Sequence, residues 1–213
     1  MHLQIIIADD HPVVRLGVRS IISASGLGQV VAEASSADEL TAALSAHPCD
    51  VLVTDFSMPN SRTPDGLSMI EAIRRRHPSL PILLLTMATN IGLLRMAMDA
   101  GVLGLLEKGS SMEELPMAIQ TVHRGSPYVS LGIRDTLARS GDLGRQIKMQ
   151  ALSAKEMEVL RLLSSGMKVT GIAEHLHRSI TTISRQKGDA MRKLGLKNDA
   201  ELFEFLRNAG FTN

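Results

Sequence analysis

Four short apolar runs in the first half of this chain each lead into a residue that carries chemistry. That arrangement restricts the fold more than any other feature. Asp9 and Asp10 follow Ile5-Ile6-Ile7-Ala8, and Asp55 follows Val51-Leu52-Val53-Thr54. Thr86 follows Pro81-Ile82-Leu83-Leu84-Leu85, and Lys108 comes just after Val102-Leu103-Gly104-Leu105-Leu106. Short apolar runs separated by helical periodicity predict buried parallel strands joined by crossover helices. In such a sheet, groups just past the carboxyl ends of neighbouring strands converge on one crevice.

The spacing predicts strands near 3–8, 29–34, 50–54, 81–86 and 102–106. Helices are predicted near 12–24, 36–46, 66–77, 90–99 and 111–123. Five alternations of this kind give a doubly wound α/β unit on a five-stranded parallel sheet. Ser36 before Ala37-Asp38-Glu39 is an N-cap with acids in the first turn, and His77-Pro78 closes the third helix. Residues 126–150 mix Gly, Ser and charge with weak periodicity, so they are expected to form a linker with a short helix near 130–139. After Leu152 the pattern is helical only, over 153–165, 169–176, 180–194 and 199–208. The expected division is therefore 1–125, a linker at 126–150, and an all-α four-helix domain at 151–213.

The 213 residues suffice for one large or two small domains. The net charge of +1 hides an asymmetry: residues 1–125 carry 9 basic against 13 acidic side chains, and residues 126–213 carry 14 against 9. Only the second half is thus suited to nucleic acid. One tyrosine, four phenylalanines and no tryptophan argue against stacking platforms for single strands. No apolar stretch approaches a membrane span and no secretion signal is visible. The single Cys49 rules out an internal disulfide, so a soluble cytoplasmic protein is expected, with Cys49 a buried structural thiol.

Taken singly, Asp9 and Asp10 read equally as caps of the first helix, and Asp55 as a loop residue. Together they form a crowded acidic pocket. Carboxylates about 4 Å apart repel by roughly 4 kcal/mol per pair at an effective dielectric of about 20, so a cation must offset them. Oxygen ligands with open positions suit Mg²⁺, and an aspartate held this way can act as nucleophile toward a phosphoryl donor. Lys108 and Thr86 can pair with the phosphoryl oxygens.

Asp9-Asp10-His11-Pro12, Thr54-Asp55-Phe56-Ser57-Met58-Pro59, Asp65-Gly66, Leu85-Thr86 and Glu107-Lys108, in that order, resemble a response-regulator receiver domain. The resemblance implies a flavodoxin-like fold with Asp55 as phosphoacceptor. It implies Asp9, Asp10, Asp55 and the backbone carbonyl of Ser57 as Mg²⁺ ligands, Thr86 as switch hydroxyl and Lys108 as phosphate-pairing cation. Two departures stand out. Leu105 replaces the family's aromatic residue three before the lysine, so no ring can swing inward after the threonine. Asn60-Ser61-Arg62-Thr63-Pro64 lengthens the loop before Asp65, either as a contact for a kinase or the other domain or as a plain solvated loop.

In the second half, Leu152-Ser153-Ala154-Lys155-Glu156 opens a helix with a capping box. Val169, Ile172, Ala173 and Leu176 form one apolar face, and Ile183, Ala190, Met191 and Leu194 another. This leaves Thr181, Ser184, Arg185, Gly188 and Arg192 along an outward stripe, with Thr182 at the same helix end and Lys187 and Lys193 flanking. Arginine reaches guanine edges bidentately, while lysines and hydroxyls mostly take phosphates. Gly188 costs roughly 1 kcal/mol against alanine in mid-helix; it either admits DNA backbone closely or is a tolerated surface residue. Leu152–Leu163, Gly166, Ile172-Ala173, Leu176, Ser179, Thr182-Ile183 and Lys193-Leu194-Gly195 resemble the helix-turn-helix domain of NarL/FixJ (LuxR-type) regulators. Thr181, often lysine there, and Gln186, often histidine, depart from the pattern.

The resemblances imply a transcriptional regulator of a two-component phosphorelay rather than an enzyme. A histidine kinase or phosphotransfer protein would phosphorylate Asp55. A homodimer, or a heterodimer with an auxiliary regulator, would then bind double-stranded DNA through 180–194 and pair through 199–208. In the alternative, the receiver is a dimerisation or partner platform and phosphate plays no part. An aspartyl phosphatase would need a second acid two residues past Asp55, where Ser57 stands. The seven histidines read as surface or capping residues, Arg74-Arg75-Arg76 as a helix end, and the twelve methionines as core filler.

Overall fold

A computed structural model describes residues 2–58, 65–87, 91–109, 112–139 and 152–208. The sheet contains β1 (Leu3–Ala8), β2 (Gly28–Ala34), β3 (Val51–Asp55), β4 (Ile82–Thr86), β5 (Gly104–Glu107) and β6 (Tyr128–Val129). The spatial order is β2-β1-β3-β4-β5-β6 with every pairing parallel. Helices α1 (Pro12–Ser25), α2 (Ala37–Ala46), α3 (Gly66–Arg76), α4 (Ile91–Asp99) and α5 (Leu115–His123) are the crossovers. The central strands are buried on both faces: all five residues of β3 and of β4 are buried. One apolar core forms beneath α1 and α5 and the other beneath α2, α3 and α4.

The predicted five strands become six. Tyr128 pairs opposite Gly104 and Val129 opposite Leu105, in a stretch the sequence assigns to the linker. Two residues make too short a run to register as a strand. Ser130 fixes this extension: it is fully buried, its amide donates to the Leu105 carbonyl at 2.9 Å, and its hydroxyl accepts from the Glu107 amide at 3.4 Å. A sixth helix, α6 (Leu131–Arg139), follows in the region where a short helix is expected. Residues 140–150 of the expected linker, and the Asn60–Pro64 insertion, lie outside the described residues.

The second unit comprises α7 (Ala154–Ser164), α8 (Val169–His175), α9 (Ile180–Leu194) and α10 (Asp199–Asn208). Ser153 and Glu156 form the expected capping box, and Ile172, Ala173, Ile183, Ala190 and Leu194 are buried. The turn before α9 passes through His177 at φ 51°, the one described non-glycine residue in the left-handed region. The two units touch. Gly92 of α4 lies so near Leu194 that a Cβ there would come within 2.9 Å of the Leu194 carbonyl oxygen. Arg161 also pairs with Glu71 of α3 at 3.1 Å.

The expectation that methionines fill the core needs correcting in part. Met58, Met69 and Met96 are buried, but Met87, Met98 and Met117 are exposed. Cys49 is half-buried; burial is the main reason its thiol is pushed up to about 11, and it donates to the Val51 carbonyl. No helix among the described residues is long and apolar enough to cross a membrane.

Candidate functional site

Parallel pairing in register brings the strand ends together. Ala8 pairs opposite Thr54, Asp55 opposite Leu85, and Thr86 opposite Glu107. Asp9, Asp55 and Lys108 therefore meet at one edge of the sheet. The Lys108 ammonium lies 2.8 Å from Asp9 Oδ2 and 2.6 Å from Asp55 Oδ2. The remaining oxygens are also held. Asp55 Oδ1 accepts from the Phe56 amide at 2.7 Å, and Asp9 Oδ1 accepts from the His11 amide at 2.9 Å. Thr86 is 2% exposed at the end of β4, and its carbonyl accepts from the Lys108 amide at 2.9 Å.

Asp10 and His11 complete the cluster. His11 Nδ1 lies 2.6 Å from Asp10 Oδ1, and one ligand atom from each of Asp9, Asp10, His11 and Asp55 falls within a 4.8 Å span. His11 lies on the surface as the sequence places it, its side chain 67% exposed, and is the N-cap residue of α1. Its closeness to the carboxylates is what sequence reasoning missed, although its motif position beside two aspartates signals it. Ser57 is anchored from behind, because its hydroxyl (3.2 Å) and the Met58 amide (2.9 Å) both donate to Asp65 Oδ2. Asp65 thus pins both ends of the long loop rather than capping α3 with its side chain.

Burial pushes the Asp55 carboxyl above the ordinary carboxylate range, with the Asp9 charge adding to it, against the opposing pull of Lys108 and the Phe56 amide. Burial draws Lys108 down, yet its bonds to Asp55 and Asp9 outweigh this and hold it above its usual value. The lysine stays charged and shared between two carboxylates. Asp9 Oδ2 and Asp10 Oδ1 are buried without an aligned hydrogen-bond donor, although Lys108 lies 2.8 Å from the first and His11 Nδ1 2.6 Å from the second. Such carboxylate oxygens, clustered and incompletely satisfied, fit a hard divalent cation. Leu105 is completely buried, as a strand residue with no room to swing.

At the other end, Ser179 caps α9 by accepting from the Thr182 amide at 3.1 Å, and the two hydroxyls share a further bond at 2.8 Å. Thr181, Thr182, Ser184, Arg185, Gly188 and Arg192 are all exposed. Arg185 and Arg192 flank Asp189 at 3.9 and 2.8 Å but keep 86% and 76% of their side-chain surface open. Lys187 and Lys193 are placed differently. Lys187 pairs with Asp199 at 2.7 Å, and Lys193 with Glu156 at 2.6 Å, each side chain only 16% exposed. Sequence reasoning missed both partners, which lie on other helices.

Comparison with known proteins agrees with this geometry. Residues 5–120 match the response regulator receiver domain, and residues 150–206 match the luxR family of bacterial regulatory proteins. The transcriptional regulatory protein RcsB of Escherichia coli (strain K12) is 38% identical over 205 residues, covering 96% of this chain and 94% of that protein. The oxygen regulatory protein NreC of Staphylococcus haemolyticus (strain JCSC1435) is 33% identical over 210 residues, covering 95% and 96%. RcsB from Salmonella enterica serovar Typhimurium, solved bound to promoter P1flhDC in the presence of the phosphomimetic BeF3−, superposes with a TM-score of 0.74 at 37% identity, covering 98% and 99%. With its strand-end acidic pocket followed by a basic helix-turn-helix unit, the chain belongs to the two-component response regulators of the NarL/FixJ, LuxR-type family.

Proposed function

We propose that this protein is a cytoplasmic transcriptional regulator whose DNA binding is controlled by phosphorylation of Asp55. The observation that carries the proposal is the Lys108 ammonium bridging Asp55 and Asp9 at 2.6 and 2.8 Å. An Asp55 oxygen bonds to phosphorus as the phosphorus–nitrogen bond of a phosphohistidine donor breaks, and the imidazole leaves and takes up a proton. The donor is a histidine kinase or a phosphotransfer protein. Asp9, Asp10, Asp55 and the Ser57 carbonyl would hold Mg²⁺, which when bound offsets the charge of the entering phosphoryl group. The product adds a charge of about −1.5 to −2, by analogy with other phosphorylated side chains. Lys108 then turns from Asp9 toward the phosphoryl oxygens, and Thr86 donates its hydroxyl. The chain accepts one phosphoryl group and catalyses no turnover of its own.

Downstream, a homodimer, or a heterodimer with an auxiliary regulator, binds double-stranded DNA through the exposed face of α9. Thr181, Thr182, Ser184, Arg185, Gly188 and Arg192 make the contacts, whereas Lys187 and Lys193 serve mainly as internal ties. Phe203 is 51% exposed on α10 while Leu202, Phe205 and Leu206 beside it are buried, which supports pairing of two copies there. Residues 1–125 form the receiver, extended by β6 and α6 from the 126–150 segment, and 151–213 the DNA-binding domain. The test is the intact mass after incubation with a small acyl phosphate and Mg²⁺. Wild type should gain one phosphoryl group and Asp55→Asn none; no gain in wild type, or an equal gain in both, refutes the assignment.

The buried Leu105 favours a second reading, in which the receiver is a dimerisation or partner platform. An Asp55→Asn chain that binds DNA as tightly as phosphorylated wild type would select it.

A further inference from the structure

Ile180, the first residue of α9, is 54% exposed. Among the isoleucines whose side chains are described, it is the only one in that class; those of the sheet and of the other helices are buried or half-buried. Among the described residues, this β-branched apolar side chain belongs to neither apolar core. It has company, however. Thr181 follows it, Ser184 lies one turn on, and Arg185 extends beside them with 86% of its side chain open. Ile183, three residues on, is fully buried, which sets Ile180 on the flank of the helix next to Ser184 rather than on its back.

A helix entering the major groove presents its first residues to base edges. There the 5-methyl group of thymine is the one apolar feature, and small apolar side chains read it by contact. We infer that Ile180 is a specificity-determining residue that packs on a thymine methyl group, so that this chain prefers a thymine where Arg185 and the hydroxyls alone would not demand one. The inference rests on the proposed entry of α9 into the groove.

The test uses full-length protein with beryllofluoride and Mg²⁺, and the duplex it then enriches most strongly from a random library, with each thymine replaced in turn by deoxyuridine. That replacement removes the methyl and leaves base pairing intact. Burying one methyl predicts about a fourfold loss of wild-type affinity at one thymine per half-site. Ile180→Ala should bind the parent duplex about fourfold more weakly and be indifferent at that thymine, and Ile180→Val should keep the preference. Alanine is the better helix former at an exposed site, so the variant folds. Wild type that ignores every replacement, a selected half-site without thymine, or Ile180→Ala that keeps the preference overturns the inference while leaving DNA binding in place. A chain that enriches no duplex overturns the inference and the DNA-binding proposal together.

Discussion

Replacing Lys108 by methionine keeps an unbranched side chain one atom shorter and removes the only charge that separates Asp9 from Asp55 among the described contacts. Their oxygens lie within 4.8 Å, so at an effective dielectric of about 20 the bare pair repels by at least about 3.5 kcal/mol. The pair can escape by taking up a proton. At pH 7 this costs about 4 kcal/mol for a carboxyl of ordinary pKa near 3.9, and less for Asp55, whose carboxyl burial already raises. The two costs converge on a destabilisation of about 3 kcal/mol at pH 7, in line with measured losses for buried pairs missing one partner. At pH 5 protonation costs only about 1.5 kcal/mol, so the penalty should fall by about half. The receiver is convenient to follow: Tyr128 is the sole tyrosine in a chain without tryptophan, and it is buried in the sheet. Urea unfolding read by its fluorescence should show Lys108→Met melting about 1.5 M earlier at pH 7, for a slope near 2 kcal/mol per molar. Millimolar Mg²⁺ should restore the variant by more than it adds to wild type. A variant as stable as wild type at pH 7 without Mg²⁺, or a penalty that grows at pH 5, refutes this account of the pocket.

Three further outcomes are expected. Gly188→Ala has open space for its methyl and should stabilise the helical domain by about 1 kcal/mol, raising its melting temperature while lowering DNA affinity in a gel shift; unchanged affinity would make Gly188 a plain surface residue. His177→Gly relieves a left-handed residue that costs about 1–2 kcal/mol, less about 0.4–1 kcal/mol for glycine's looser unfolded chain, so calorimetry should show a slightly higher transition, and a lower one would contradict the turn geometry. Burial works to raise the Glu156 carboxyl, but Lys193 and Ser153 outweigh it and hold the group below its usual 4.5. Its contribution is therefore present above that pH and lost as pH falls through the depressed value. The melting temperature of wild type should drop as the solution is acidified below 4.5, and Glu156→Gln should flatten that drop; parallel profiles would dismiss the pair.

The sheet and pocket were legible because apolar runs mark strands and parallel topology puts their ends in one place. Asp9, Asp55, Thr86 and Lys108 needed no long-range information beyond that rule. Tyr128-Val129 escaped because a two-residue strand leaves no period to detect, and its place depends on Ser130 meeting Glu107. Lys187 and Lys193 looked solvent-facing because helical spacing reports only their own helix. Their partners lie 12 and 37 positions away in sequence, on α10's first residue and in α7's first turn. The close seat of Gly92 on Leu194 is likewise tertiary: neither residue carries a pattern that names the other.

The most direct test of phosphate control is the affinity of the full chain for its selected duplex, measured with and without beryllofluoride and Mg²⁺, in wild type and in Asp55→Asn. Tighter binding on addition to wild type, with no change in Asp55→Asn, is the predicted result. Equal affinity in all four samples would contradict it.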